Sequence, residues 1–234
     1  MGKITMILSS LLLLFSNYKS NQDNYWAARE EMVKTQLQGR GITDPATLYA
    51  MLNVPRQEFV PEHLKQFAYM DRALPIGHGQ TISQPYLVAF MTQTLGLRSS
   101  HNVLEIGTGS GYQAAVLSKI VDSVHTIEIV RALASSAGKK LADLGYSNIN
   151  VKAGDGYHGW PSKAPFDAIM VTAGADTIPQ PLIDQLKNGG KMVIPIGPAG
   201  GVRQLQLVVK KNDRIVTKNL LAVRFVPFTR DEKN

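Results

Sequence analysis

The chain has no cysteine. No disulfide, thiolate metal site or cysteine nucleophile can therefore exist. Charge is sparse, at 18% of residues, and although the formal net charge is +7, it is not concentrated. The densest basic groups are Lys139-Lys140, Lys210-Lys211 and the mixed tail from Arg230 to Lys233. With no block of five or six like charges there is no nucleic-acid footprint, and the basic balance reads as a solvated surface. Long hydrophobic runs are also missing. The longest, Ile4 to Phe15, is interrupted by Thr5, Ser9 and Ser10 and is short for a membrane span. The five histidines (63, 78, 101, 125 and 158) lack metal-ligand spacing, so no metal is expected. Internal repeats and low-complexity segments are absent.

What is present suits one sizeable α/β domain with an extension. The chain has 234 residues, of which 44% are hydrophobic, enough for a substantial core. We divide it into a hydrophobic leader at 1–22, a helical extension at 23–100 and a core at 101–234. In the extension, helices are expected over Trp26–Gln38, from an Asp44-Pro45 cap to Asn53, over Glu62–Phe67 and over Tyr86–Leu95. The proline-bounded Val54–Pro61 reads as an extended connector. From Asn102 the pattern turns βαβ. Strands are expected at Asn102–Ile106, Val124–Ile129, Asn148–Ala153, Phe166–Thr172 and Lys191–Ile196, with helices at Gln113–Val121, Arg131–Leu144 and Pro179–Asn188 between them. Two last strands, Gln204–Lys210 and Leu220–Val226, are expected to give an antiparallel end to a parallel sheet.

The densest chemical signal is Val103-Leu104-Glu105-Ile106-Gly107-Thr108-Gly109-Ser110-Gly111-Tyr112. A buried strand followed by alternate glycines and a helix presents open backbone to a nucleotide-like ligand at the sheet's carboxyl edge. A dinucleotide fingerprint needs G-x-G-x-x-G, and Tyr112 stands where its third glycine should be. The E-x-G-x-G-x-G spacing instead resembles motif I of S-adenosylmethionine (SAM)-dependent methyltransferases, placing Glu105, Gly107, Thr108, Gly109 and Gly111 at the cofactor. Glu128, 23 residues after Glu105 at the end of the second strand, is suited to accept hydrogen bonds from both ribose hydroxyls. Gly154-Asp155-Gly156 ends the third strand, and its carboxylate is suited to the adenine amino group. Taken together, these segments resemble motifs I to III of class I methyltransferases in order and spacing.

Acceptor chemistry is narrowed by two absences. Cytosine-C5 methyl transfer needs a cysteine. The loop after the fourth strand, Thr172-Ala173-Gly174-Ala175-Asp176-Thr177, lacks the Asn/Asp-Pro-Pro-aromatic signature that grips a flipped base. Upstream, Gln80-Thr81-Ile82-Ser83-Gln84-Pro85-Tyr86 resembles the signature loop of protein-L-isoaspartate O-methyltransferases. Arg56–Pro61, Gly189-Gly190, Pro195–Pro198 and Val223–Pro227 resemble the same family, which the chain follows from about Trp26 to its end. The glycine in Ala173-Gly174-Ala175-Asp176 departs from relatives, and we expect no chemical consequence.

The resemblance implies a Rossmann-like class I methyltransferase sandwich: a seven-stranded, mostly parallel sheet with helices on both faces and an N-terminal helical extension. It implies SAM as cofactor and isoaspartyl-containing proteins and peptides as partners. The free α-carboxylate is methylated, and the ester then collapses to a succinimide. An acceptor with a pKa near ~3.5 is already ionised at neutral pH, so alignment matters more than a base. On this reading Ser83 positions the carboxylate, with a helix cap as its alternative role, and Thr81 lies near the methionine moiety. Pro195, in the Pro195–Gly197 turn, and Arg224 are peptide-binding candidates, Arg224 being equally readable as a strand-edge charge. A SAM-binding protein without turnover, or one acting on another carboxylate, is the alternative. A monomer is expected. SAM availability favours the cytoplasm, whereas the leader allows a periplasmic or membrane-tethered location.

Overall fold

A computed structural model describes residues 25–212 and 214–230; the leader reading lies outside them. Among the described residues no helix is long and apolar enough to cross a membrane.

The sheet has seven strands in the order β5-β4-β3-β6-β7-β8-β9. β3 (Asn102–Ile106), β4 (Ser123–Glu128), β5 (Ile149–Ala153), β6 (Phe166–Val171) and β7 (Leu186–Ile196) run parallel. β8 (Arg203–Lys211) and β9 (Arg214–Val223) close it antiparallel. Successive side chains along the central strands alternate between two hydrophobic clusters. Val103, Ala168, Met170, Val193 and Leu205 belong to one hydrophobic cluster, whereas Leu104, Ile106, Ile169, Val171, Met192 and Ile194 belong to another. The sheet is therefore buried on both faces, which is why its strands read as nearly continuous apolar runs. α4 (Tyr112–Ser118) and α5 (Arg131–Asp143) pack on β4 and β5.

The extension joins the first of these clusters. α1, helical from residue 25, passes into π-helical geometry over Met32–Leu37, followed by α2 (Pro45–Asn53) and α3 (Pro85–Leu95). Asp44 caps α2 by accepting from the Thr47 backbone N–H at 2.8 Å. Met32, Leu37, Met51, Phe59, Val88 and Met91 share one core with Val103, Tyr112 and Met170.

Several expected elements differ. The supposed connector 54–61 holds a 3-10 turn at Arg56–Phe59, because Arg56 and Phe59 bury their side chains there. Leu74–Gly77 and Gln80–Ile82 form a hairpin, β1 and β2, absent from the sequence reading. Its turn is His78-Gly79, and both residues have positive φ (52° and 69°), the geometry of a tight hairpin. The sixth helix, α6, covers only Gln180–Gln185. Gln185 ends it by donating to the His158 and Pro181 carbonyls and accepting from the Trp160 N–H, and Leu186 then pairs with Phe166. The last strand, expected from Leu220, starts at Arg214 and ends at Val223, leaving Arg224–Val226 beyond it.

Candidate active site

The strand order reverses direction at β3, whose neighbours are β4 and β6. Carboxyl ends of adjacent strands diverge at such a point and leave a crevice. Here the crevice holds two adjoining compartments that share Thr81, Gly107, Gly109 and Thr172. The first, about 560 Å³ counted to its open mouth, is also lined by Glu128, Gly156 and the tail residues Val226–Thr229. The second, about 430 Å³, is lined by Ser83, Met91, Thr108, Ser110 and Tyr112.

The glycine loop is held by backbone contacts. Gly107 has φ 98°, and a Cβ there would stand 2.4 Å from Thr172 Oγ1. That hydroxyl donates to the Ile106 and Gly107 carbonyls at 3.0 and 2.8 Å, tying β6 to the loop. Glu128 is buried, accepting from the Gly109 N–H at 2.8 Å and the Val130 N–H at 3.0 Å. It lines the first compartment, and each of its oxygens keeps acceptor capacity beyond its one bond, which suits a diol.

Not every residue expected at the cofactor faces the crevice. Glu105 is fully buried on β3, where it accepts from Thr126 Oγ1 at 2.5 Å, and its other oxygen has no partner among the described residues. Burial pushes its pKa up to about 8. Thr108 lines the second compartment but is only 3% exposed, and its hydroxyl turns back to share a hydrogen bond with Thr126 at 2.7 Å, completing a buried Thr108–Thr126–Glu105 chain. Gly154 donates to the Glu128 carbonyl at 2.9 Å. Asp155 caps the turn at Gly156–His158 by accepting from the Tyr157 N–H, and it pairs with Arg230 at 2.8 Å. The Arg230 guanidinium lies over the Tyr157 ring at 3.6 Å.

At the acceptor side, Thr81 sits on β2 and Ser83 just after it, before α3. The N-cap of α3 is Gln84, which makes no side-chain cap bond, so Ser83 does not cap it. No described residue bonds the Ser83 hydroxyl, which leaves it open to a ligand. Its carbonyl accepts from Arg56 Nη2 at 2.7 Å. Asp71 accepts from the Tyr86 N–H at 2.9 Å and fixes the other end of the segment.

Neither peptide-binding candidate lines either compartment. Pro195 is not in a turn; it is buried within β7 opposite Leu205, because the strand continues through Ile196. Arg224 is exposed beyond the end of β9. Residues that spacing did not flag are Thr172, Arg56 and the tail Val226–Thr229. The tail reaches the crevice because Gly174 donates to the Val226 carbonyl and accepts from the Phe228 N–H. The family-like Val223–Pro227 segment was its one visible signal. Among the described residues no group of three or more His, Asp or Glu side chains could hold a metal ion.

Known proteins share this sequence and fold. The family model described as Protein-L-isoaspartate(D-aspartate) O-methyltransferase matches residues 27–233. The chain belongs to this family. It is 53% identical over 226 residues to a protein-L-isoaspartate O-methyltransferase from Opitutus terrae, covering 97% of both chains. That share is more than residues 23–234 alone, so the match runs into the leader, which the sequence reading had placed outside the resemblance. It is 50% identical over 234 residues to protein-L-isoaspartate O-methyltransferase 2 of Shewanella sediminis, covering 98% of this chain and 96% of that one. Among solved structures, a putative protein-L-isoaspartate O-methyltransferase from Plasmodium falciparum in complex with S-adenosyl-L-homocysteine (SAH) superposes with TM-score 0.74. It is 26% identical, with coverage of 87% of this chain and 99% of that chain. Family membership makes the chain a SAM-dependent methyltransferase of isoaspartyl residues in damaged proteins. The first compartment, with its open glycine backbone and the free lone pairs of Glu128, fits SAM.

Proposed function

We propose that the two compartments divide the reaction, the first holding SAM and the second holding the isoaspartyl α-carboxylate with Ser83 as its positioning donor. SAM, when bound, supplies a methyl carbon made electrophilic by an adjacent sulfonium. Glu128 orients the ribose through its two remaining lone pairs. The Gly107–Gly111 backbone takes the methionine end, with Thr81 between the compartments. Asp155, next to the lining residue Gly156, would read the adenine edge.

The acceptor needs no base. A carboxylate with a pKa near ~3.5 is ionised at neutral pH. One oxygen forms the new bond to the methyl carbon as the carbon–sulfur bond breaks, and no proton moves. What Ser83 supplies is direction: its hydroxyl donates to one oxygen and leaves the other aimed at the methyl. Alignment of this kind is worth up to roughly 7–11 kcal/mol in favourable systems. Removing water strengthens it further. The following backbone nitrogen then attacks the ester carbonyl carbon, and as the new carbon–nitrogen bond closes the succinimide the methoxy group leaves as methanol with the nitrogen's proton. The observation that carries this reading is that the open Ser83 hydroxyl and the glycine loop line one compartment.

The protein acts on peptide rather than nucleic acid, without a metal, as a monomer, and in the cytoplasm where SAM is made. Label transfer from methyl-tritiated SAM to an isoaspartyl peptide and its aspartyl twin tests the assignment. Base-labile label is expected on the isoaspartyl peptide alone. With Ser83→Ala, kcat is expected to fall at least about tenfold while SAH affinity holds within about threefold. Wild-type turnover by that variant would remove Ser83 from the mechanism. Tight SAH binding with no transfer to any peptide would favour a protein that binds without turnover.

A further inference from the structure

Arg56 is a guanidinium at 0% exposure that makes no ion pair with a carboxylate among the described residues. Its Nε donates to the Ala68 carbonyl and its Nη2 to the Ser83 carbonyl, both at 2.7 Å. The guanidinium carbon lies 4.7 Å from the centre of the Tyr112 ring. Nη1 is buried with no partner among the described residues. Burying an unpaired cation is costly, and an apolar side chain of similar volume would fill the space with less penalty. The charge therefore calls for a reason beyond packing.

The geometry points to one. Tyr112 follows Gly111, the last glycine of the cofactor loop, and Ser83 carries the acceptor donor; both line the second compartment. A planar fork that donates along two directions and stacks on an aromatic face spans the three contacts, which a lysine or an apolar residue cannot do. We propose that Arg56 is a positioning residue for methyl transfer: from beneath the acceptor compartment it holds the Ser83 segment in register with the helix that starts at the cofactor loop. The proposal rests on the role assigned to Ser83. Arg56 touches no substrate and acts only through where it places that segment.

A double-mutant cycle on the full chain tests it, using Arg56→Lys, Ser83→Ala and the pair. The readouts are kcat and KM for an isoaspartyl peptide, SAH affinity by calorimetry, and thermal unfolding. Arg56→Lys is expected to lower kcat at least about fivefold with SAH affinity within about threefold, because lysine keeps the charge but loses the fork. In the Ser83→Ala background the same change is expected to cost less than about twofold, since two residues acting as one unit are non-additive. Losses that multiply would overturn the proposal and leave Ser83 standing. A Ser83→Ala enzyme with wild-type kcat would instead overturn the Ser83 role, and this proposal with it. If Arg56→Lys does not fold, Tyr112→Leu replaces it in the cycle, removing the stacking face while both carbonyl bonds stay. The same non-additivity is expected of it, and multiplicative losses would again overturn the proposal.

Discussion

At the scale of single residues, Glu105 separates a motif from a ligand. It opens the E-x-G-x-G-x-G pattern, yet its carboxyl group is buried behind the loop and bonded to Thr126. Desolvation first, and then the nearby Glu128 charge, raise its pKa to about 8 against 4.5 for a free glutamate. Between those values the folded protein holds a proton that the unfolded chain has lost, so this group's stabilisation is full below about pH 4.5 and is lost as pH rises toward 8. The slope is at most about 1.4 kcal/mol per pH unit. Glu105→Gln is expected to flatten the fall in unfolding temperature between pH 6 and pH 8; an unchanged pH dependence would place the titration elsewhere. Gly107 is a second such position. Any side chain there meets Thr172 Oγ1 in a backbone conformation that L residues rarely adopt. Gly107→Ala is expected to weaken SAH binding by at least about tenfold, read by calorimetry.

Elements are joined at the crevice by contacts that no local pattern encodes. Gly174, whose departure from relatives looked inconsequential, lies against the buried side chain of Arg203, and a Cβ would fall 2.1 Å from Arg203 Nε. Arg203 in turn donates to the Phe225 carbonyl at 3.1 Å, while Gly174 pairs with the tail at Val226 and Phe228. One glycine thus fixes the β6 loop, β8 and the strap lining the cofactor compartment. Overpacking of this kind costs roughly 1–3 kcal/mol. Gly174→Ala is expected to lower the unfolding temperature and weaken SAH binding, with part of the stability restored by Arg203→Val, which removes the side chain beyond Cγ. A fully stable Gly174→Ala protein would mean that Arg203 has room to move.

For the molecule as a whole, the extension and the sheet share one hydrophobic cluster, with Met51, Phe59 and Met91 packed among Val103, Tyr112 and Met170. Residues 101–234 made alone would expose that face of the sheet. We expect this fragment to show no cooperative unfolding transition and no SAH binding, whereas the full chain melts in one transition that SAH shifts upward. A fragment that melts cooperatively and binds SAH would make the extension an independent substrate lid.

Much of this protein was legible in one dimension because its signals are local. A strand buried on both faces is a short apolar run, so Asn102–Ile106 could be read without error from sequence. The alternate glycines after it, and Glu128 at the next strand end, lie at spacings that one βαβ unit dictates. Helix ends were less legible where distant partners set them, as Trp160 and the His158 carbonyl do for α6 by holding Gln185. The hairpin at 74–82 was hidden because it depends on His78 in a conformation that is common only for glycine. The sequence by itself determined the fold class, the family and the cofactor loop, since each is carried by spacing along the chain. Only the tertiary structure decided that Glu105 stands behind the loop, that Pro195 is buried in the sheet, that Arg56 bonds the Ser83 segment, and that Gly174 ties the tail to the loop after β6. Those outcomes depend on groups that meet from separate elements, as Arg56 and the Ser83 carbonyl do from 27 residues apart, and no local pattern carries that information.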